Sequence, residues 1–218
     1  MILAIDTATQ SAGLALYNQD GIYAEESWQA GRNHTVELMA RLARLLKSAR
    51  VTIPELEAIA VSLGPGSFTG LRIGLAAAKG LALPHQLPIV GIPTLDAVAY
   101  PLRNAGLPVW AIAQAGRGRI LAARYGQVDG QWQPVEQPQL TTFKALAAQI
   151  KEPAWCTGEI DQQSAQILER GSHQKAQVVS AAMRLRRAGY LAELAAARLA
   201  AGDRVDPDSL EPIYPAPL

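Results

Sequence analysis

The residues from Val61 to Gly74 carry the most specific chemical pattern in the chain, VSLGPGSFTGLRIG. Pro65 fixes the backbone for the second position of a turn, and Gly66 can take the positive φ that a type II turn needs next. Ser67 then predicts the N-cap of a helix, whose free backbone N–H groups could hold an anion. The loop is not a Walker phosphate loop, because no Gly-Lys-Ser/Thr follows it. Two interpretations stay open, a phosphate-binding loop and a purely structural turn.

A helix is predicted to follow from Phe68 to Leu83, and it contains glycine where helices usually avoid it. Gly70, Gly74 and Ala78 are spaced four apart and therefore share one side of the helix. Each glycine inside a helix costs about 1 kcal/mol relative to alanine, so this stripe needs a structural reason. Small residues let another helix approach closely, and that helix could lie in the same lobe or in another subunit.

Few other side chains in the sequence are placed for catalysis. The three histidines, His34, His85 and His173, are far apart and form no His-Glu-x-x-His metal motif. Ser67 lies in Gly-Pro-Gly-Ser-Phe rather than Gly-x-Ser-x-Gly, which argues against a nucleophilic hydrolase. The single cysteine, Cys156, excludes an intrachain disulfide and a zinc site built from cysteines, and it is predicted to be a buried core residue.

The composition is that of a well-packed globular protein with little charge imbalance. Of the 218 residues, 49% are hydrophobic, which is ample for a core, and the net charge is +1. A protein that binds nucleic acid tightly by itself usually carries a basic stripe, so any role with nucleic acid is expected to be shared with a partner. The apolar segments are too short to span a bilayer, and the opening MILAIDTATQ has no basic leader. We therefore expect a cytoplasmic protein without membrane contact.

The order of apolar and polar segments predicts an α/β fold with two related lobes. The first hundred residues follow a β-β-β-α-β-α plan with a short β-α addition, and the plan begins again near Val109. The lobes are expected at residues 1–104 and 105–180, with a helix at 181–201 completing the first lobe. The proline-rich residues 203–218 are predicted to form an extended tail. The predicted strands are 1–5, 11–17, 22–28, 56–63, 89–92, 109–113, 120–125, 132–138 and 154–157, and the predicted helices are 33–47, 68–83, 93–103, 142–150, 161–170 and 181–201.

Three segments of the chain together resemble one protein family. They are the opening ILAIDTAT, a helix that begins near RNHT, and the motif GPGSFTGLRIG. This combination closely resembles the TsaB (YeaZ) family over most of the chain, and most densely in residues 1–100. The resemblance implies the ASKHA fold, which is actin-like and ribonuclease H-like, with two lobes that each hold a mixed five-stranded sheet and helices.

The resemblance also implies a function in tRNA modification. Members of the family pair with TsaD, a catalytic paralogue, in the synthesis of threonylcarbamoyladenosine in tRNAs that read codons beginning with A. They act as a scaffold or activating subunit without catalytic residues of their own, and a small ATPase, TsaE, joins the complex. By resemblance we expect no metal and no cofactor of the chain's own, ATP or ADP only at the interface with partners, indirect contact with tRNA, and a homodimer when the partner is absent.

The resemblance assigns roles to specific residues. In the family the helices at 33–47 and 68–83 form the dimer interface, which gives the glycine stripe an intersubunit explanation. Asp6 and Thr7 match the position where actin-like ATPases place a metal- or phosphate-facing aspartate, and they are expected to be vestigial. The expected partner interface consists of Leu38, Arg41, Leu42, Leu45, Gly70, Arg72, Gly74, Leu75 and Ala78. The family motif loop consists of Gly64, Pro65, Gly66, Ser67 and Thr69.

Two segments depart from the family pattern. The family carries Asp-Ala-Arg at the start of the second lobe, where this chain has Gln114-Ala115-Gly116. The family ends with Tyr-Leu-Arg after its final proline, where this chain has Ile213-Tyr214-Pro215. The second lobe is therefore expected to engage its partners differently or to be degenerate. The alternative to a scaffold is an independent actin-like ATPase or small-molecule kinase, which would need phosphate-facing glycines after Asp6.

Overall fold

The computed structural model describes residues 1–31, 33–203 and 209–214. The chain divides into two units, of which unit 1 contains Met1–Thr94 and Arg186–Tyr214, and unit 2 contains Leu95–Leu185. The division falls after Thr94, whereas the sequence favoured residue 104. The chain then returns to unit 1 at Arg186, so the last helix belongs to unit 1.

Both units contain the series of three strands, a helix, a strand and a helix, to which β5 and α6 are added in unit 1 and α3, β9 and β11 in unit 2. The elements are β1 (Ile2–Asp6), β2 (Ser11–Asn18), β3 (Gly21–Gln29), α1 (His34–Ala49), β4 (Ala58–Gly64), α2 (Phe68–Ala82), β5 (Ile89–Pro93), α3 (Thr94–Ala99), β6 (Val109–Gln114), β7 (Ile120–Val128), β8 (Gln131–Pro134), β9 (Gln139–Thr141), α4 (Phe143–Gln149), β10 (Ala154–Gly158), α5 (Gln162–Gly171), β11 (Ala176–Val178) and α6 (Ala188–Ala200). Short 3-10 helices lie at Ile53–Glu55, Leu83–His85, Tyr100–Leu102 and Ala182–Arg184.

Unit 1 is built on a five-stranded mixed sheet in the order β3-β2-β1-β4-β5. β1 pairs antiparallel with β2 and parallel with β4, and β4 pairs parallel with β5. β1 is central and all its residues are buried, which explains why it appears in the sequence as a continuous apolar run. Leu3 and Ile5 join one core cluster with Leu38, Leu42 and Leu75 of α1 and α2. On the same sheet, α6 packs against β1 and β2.

Unit 2 has a six-stranded sheet rather than the expected five strands. Its order is β11-β10-β6-β7-β8, and β9 pairs antiparallel with β7. β9 and β11 have three residues each, which is too short for an alternating pattern to appear in the sequence. The core of this unit gathers around Ile112, Leu146, Cys156 and Leu168.

Two predicted helices are shorter in the structure. The helix expected at 93–103 ends at Ala99 and continues as a 3-10 turn that contains Pro101, because proline does not fit a helix interior. The helix expected at 181–201 begins only at Ala188, because Leu185 and Arg187 have extended backbone angles. At these positions the ion pairs that Arg186 and Arg187 form with Asp6 and Glu25 outweigh helix propensity.

The predicted tail lies partly outside the described residues, which omit 204–208 and 215–218. Its described part, residues 209–214, contains no α-helix or strand. The Ile213 N–H donates a hydrogen bond to the Leu63 carbonyl at 2.7 Å, so this segment is tied to the end of β4.

Candidate functional site

The loop after β1 is the buried polar centre of unit 1. Asp6, Thr7 and Thr9 are all buried. Asp6 Oδ1 accepts a hydrogen bond from the Ala8 N–H at 3.1 Å, and the Thr7 hydroxyl donates to the Gly70 carbonyl at 2.7 Å. The loop is therefore fixed both by its own aspartate and by the first turn of α2.

The glycines of α2 are explained by this loop. A Cβ at Gly70 would lie 2.1 Å from the Thr7 carbonyl oxygen, and one at Gly74 would lie 2.2 Å from Thr7 Oγ1. Neither distance allows a side chain without a shift of the loop, so both positions need glycine for a close approach inside the chain. This internal contact replaces the intersubunit explanation of the glycine stripe. The neighbour is a loop of the same unit rather than a helix.

The motif loop differs in its backbone from the predicted type II turn. The positive φ, +112°, belongs to Gly64 rather than Gly66, and the Gly64–Pro65 peptide bond is cis. Gly66 is needed for a different reason, because a Cβ there would lie 2.1 Å from the Ala8 carbonyl oxygen. The motif is thus shaped to pack against the loop after β1.

Ser67 caps α2, as the sequence predicted. Its hydroxyl accepts a hydrogen bond from the Gly70 N–H at 3.2 Å, and its own N–H donates to the Ala8 carbonyl at 2.6 Å. Two amide groups that could have held an anion therefore have partners inside the chain. Thr69 lies on the exposed side of the helix. Of the two open interpretations of the motif, these contacts favour the structural turn.

Asp6 forms a buried ion pair with Arg186, a residue that sequence reasoning missed. Arg186 Nε donates to Asp6 Oδ2 at 2.5 Å, and the two side chains are 8% and 3% exposed. Arg186 Nη2 also donates to the Thr9 hydroxyl at 3.1 Å and to the Ser11 carbonyl at 3.3 Å. The one signal in the sequence was a pair of arginines directly before an alanine- and leucine-rich segment.

The Asp6 carboxylate does not fit a resident metal ion in this arrangement. The Arg186 guanidinium already provides the positive charge and fills the space beside Asp6 Oδ2. Within residues 1–31, 33–203 and 209–214, no group of three or more histidine, cysteine or acidic side chains is placed to hold a metal ion.

Most of the predicted interface residues belong to the core of unit 1. Leu38, Leu42, Leu45, Leu75 and Ala78 are all buried in a single cluster. The two glycines of the stripe are buried as well. The assignment of these side chains to a partner surface is therefore corrected, because each is already covered by its own unit.

The two predicted interface arginines make contacts within unit 1. Arg41 pairs with Glu26 and Glu37, and its guanidinium lies 4.7 Å from the Trp28 ring centroid. It is half-buried and helps to attach α1 to β3.

Arg72 is exposed and belongs to an aromatic stack at the start of α2. Its guanidinium lies 3.7 Å from the Phe68 ring centroid, and its Nε donates to the Tyr214 hydroxyl at 3.1 Å. The Phe68 and Tyr214 rings are 5.1 Å apart. This stack attaches the described end of the tail to α2.

The outward sides of α1 and α2 carry apolar and small residues that unit 1 does not cover. Val36 is 78% exposed, Met39 47% and Leu83 80%. Ala76 is exposed, and a Cβ at Gly80 would meet nothing within 4 Å. We call these five residues the outer faces of α1 and α2, and we include in them Leu83, the C-cap residue directly after α2. The residues that the sequence assigned to a partner surface lie on the buried sides of these helices, and the uncovered sides carry different residues.

The segment that departs from the family pattern is held by a carboxylate of unit 2. The Gln114 N–H donates to Glu159 Oε2 at 2.6 Å. In the turn that follows, Gly116, Arg117 and Gly118 all have positive φ, at 73°, 54° and 73°. The Gln114-Ala115-Gly116 segment therefore leads into a defined turn.

Comparison with known proteins identifies the family. A family model described as TsaD, tRNA N6-adenosine threonylcarbamoyltransferase, matches residues 7–215. The chain is 37% identical over 126 residues to the tRNA threonylcarbamoyladenosine biosynthesis protein TsaB of Escherichia coli (strain K12). The matched segment covers 57% of this chain and 54% of that protein. The chain is also 32% identical over 151 residues to the protein of the same name in Bacillus subtilis (strain 168), which covers 69% and 66%. The chain belongs to the TsaB (YeaZ) family.

The structural comparison agrees on the fold of this TsaB (YeaZ) family member. The solved structure of YeaZ from Pseudomonas aeruginosa matches with a TM-score of 0.77 at 23% identity and covers 98% of both chains. The predicted ASKHA fold with two α/β lobes is confirmed. The sequence matches span about half to two thirds of the length of the curated relatives.

Proposed function

We propose that this chain takes part in threonylcarbamoyladenosine synthesis on tRNA as a non-catalytic subunit that pairs with a catalytic TsaD paralogue. The names of its relatives support the pathway. In this proposal the threonylcarbamoyl group is transferred to adenosine in tRNAs that read codons beginning with A. The chain is a scaffold that activates the paralogue, and the TsaE ATPase and tRNA join through the complex.

The observation that carries this proposal is the exposure of the outer faces of α1 and α2. Large apolar side chains such as Val36 and Leu83 gain about 1.5–3 kcal/mol each when they are fully buried, so these faces favour a docked partner. Gly80 lowers the stability of α2 by about 1 kcal/mol relative to alanine. In the described chain, a Cβ at this position would meet no atom within 4 Å. A helix of a second subunit could approach closely there, which gives this glycine a purpose that unit 1 does not.

The contacts around Asp6 support a role without catalysis. An actin-like ATPase or kinase, the alternative function, needs this carboxylate for a metal ion or phosphate. Here Asp6 is paired with Arg186, and the Ser67 N–H of the motif loop is engaged by Ala8. No observation on the described residues favours the alternative over the scaffold.

The test of the pairing uses charged substitutions on the outer faces. Val36→Glu and Leu83→Glu should each weaken binding to the purified TsaD paralogue from the same organism by at least tenfold, because a carboxylate would be buried in an apolar contact. Met183→Glu is the matched control, since Met183 is 55% exposed but lies in unit 2. Binding is measured by light scattering and calorimetry. Unchanged binding by both outer-face variants would remove the basis of the proposal.

Three further expectations belong to the same proposal. Alone, the chain forms a homodimer through the outer faces, because exposed apolar surface favours self-association. ATP or ADP binds only at the interface with the partners, so the chain has no cofactor of its own. The proposed location is the cytoplasm, and among the described residues no helix combines the length and hydropathy that a membrane crossing requires.

A further inference from the structure

We propose that Arg186 is an internal cation that fills a latent divalent-cation site at Asp6, so that unit 1 takes up no metal–nucleotide complex at this carboxylate. The guanidinium is bound by three oxygens, the Asp6 carboxylate, the Thr9 hydroxyl and the Ser11 carbonyl. Carboxylate, hydroxyl and carbonyl oxygens are the ligands that hard divalent cations prefer. The guanidinium therefore occupies a place whose chemistry suits a metal ion.

The oxygens around the guanidinium are also linked to one another. The Thr9 hydroxyl donates a hydrogen bond to the Ser11 carbonyl at 3.3 Å. Asp6 Oδ1 is held by the Ala8 N–H, which leaves Oδ2 as the oxygen that faces the cation.

The residues that directly follow Arg186 hold its backbone in place. Arg186 lies in the extended segment between Leu185 and the first turn of α6. Its neighbour Arg187 pairs with Glu25, and the same Glu25 carboxylate accepts a hydrogen bond from the Gly189 N–H at 2.8 Å. The backbone that carries Arg186 is thus attached to β3.

A divalent cation cannot share the site with the guanidinium. Arginine keeps its charge at any ordinary pH, and a displaced Arg186 would be a buried charge without its partner. The inference concerns unit 1 alone and does not depend on the pairing with a TsaD paralogue.

The test counts Mn²⁺ ions bound by the purified full chain, from the loss of the free Mn²⁺ resonance, with and without ADP. The native chain and the Asp6→Asn variant are expected to bind the same number of Mn²⁺ ions, because Asp6 of the native chain holds none. Arg186→Gln is expected to gain one site per chain, and addition of Asp6→Asn to that variant is expected to abolish it. Two controls are expected to gain no site: Arg186→Lys, which keeps a cation, and Arg187→Gln, which changes only the neighbouring pair.

Two results would overturn the inference. One is an Asp6-dependent Mn²⁺ site in the native chain, and the other is a folded Arg186→Gln chain without a new site. If Arg186→Gln does not fold, urea unfolding of the double variant with Asp6→Asn decides the question. Recovered folding supports Arg186 as the counter-charge of Asp6, and no recovery contradicts it.

Discussion

At the scale of single residues, the glycines of α2 have opposite roles on its two sides. Gly74→Ala should lower the free energy of unfolding by about 1–3 kcal/mol, because its Cβ would meet Thr7 Oγ1 at 2.2 Å. Gly80→Ala should raise it by up to about 1 kcal/mol, because the site is open and alanine is the better helix former. Urea denaturation of the two variants measures both effects. A Gly74→Ala chain as stable as the native one would contradict the internal packing of the stripe.

A second substitution distinguishes a side-chain clash from a backbone clash. Thr7→Ala removes the atom that Gly74→Ala would meet, so the double variant should recover part of the lost stability. Gly70→Ala should show no such recovery, because its Cβ would meet the Thr7 carbonyl oxygen, which Thr7→Ala retains. Equal behaviour of the two glycine variants in the Thr7→Ala background would refute this distinction. The comparison is a double-mutant cycle in urea.

Cys156 should be unreactive in the folded chain. Burial, with a smaller contribution from the Glu169 charge, raises the pKa of its thiol from 9.0 to about 12. Labelling by a disulfide reagent at pH 8 should therefore be slow in buffer and fast in denaturant. Because the folded pKa is raised, this group's stabilisation is complete below about pH 9 and is lost as the pH rises further. Rapid labelling of the native chain would contradict the burial.

Local residue chemistry was predictable, but long-range contacts were not. Ser67 as an N-cap follows from its position before a helix and was confirmed. The reason for Gly70 and Gly74 was not predictable, since it depends on Thr7, which is distant in sequence. Arg186 meets Asp6 across a separation of 180 residues, and no pattern near either residue indicates the pair.

At the scale of elements, the tail segment at 209–214 should act as a strap over the motif loop. Tyr214→Ala should lower stability by about 1 kcal/mol, because it removes a ring contact with Phe68 and the hydrogen bond from Arg72. The Ile213 amide, which is bonded to Leu63, should then exchange faster with solvent. Hydrogen exchange and urea unfolding measure the two effects.

Tyr214→Phe is the control for this strap, because it keeps the ring and loses only the hydroxyl. It should retain most of the protection of the Ile213 amide. If Tyr214→Ala leaves that protection unchanged, the aromatic stack does not hold the tail.

The order of helices and strands was predictable from the sequence wherever a segment was long enough to show a repeating apolar pattern. The spacing of four and then three residues between Leu38, Leu42 and Leu45 predicted α1, and β1 was visible as an apolar run. The three-residue strands β9 and β11 have too few positions for a period. Apolar periodicity identifies the side of a helix that faces its own core. The residues chosen by this periodicity as a partner surface of α1 are therefore core residues.

At the scale of the whole molecule, the chain alone should bind tRNA weakly. Its net charge of +1 provides little attraction for a phosphate backbone. In the proposed complex, tRNA binding should appear only when the TsaD paralogue is added. A filter-binding titration at fixed salt measures this, and tight binding by the chain alone would contradict an indirect role.

The two-lobed α/β architecture was predictable because two copies of one strand and helix order lie in tandem, whereas the ASKHA fold was implied by the resemblance to the TsaB (YeaZ) family. The unit boundary was harder to predict, since α3 begins at Thr94, where the units divide. A partner surface is harder to predict from a single sequence than the core. Exposed apolar residues such as Val36 and Leu83 can be distinguished from core residues only when the burial of each position is known.

The most direct measurement of the central claim is threonylcarbamoyl transfer to tRNA from threonylcarbamoyl-adenylate, with the TsaD paralogue, TsaE and this chain mixed in all combinations. We predict transfer only when the chain and the paralogue are both present, no transfer or ATP hydrolysis by the chain alone, and loss of transfer with Leu83→Glu but not with Met183→Glu. Transfer that proceeds equally well without the chain, or ATP hydrolysis by the chain alone, would contradict the account.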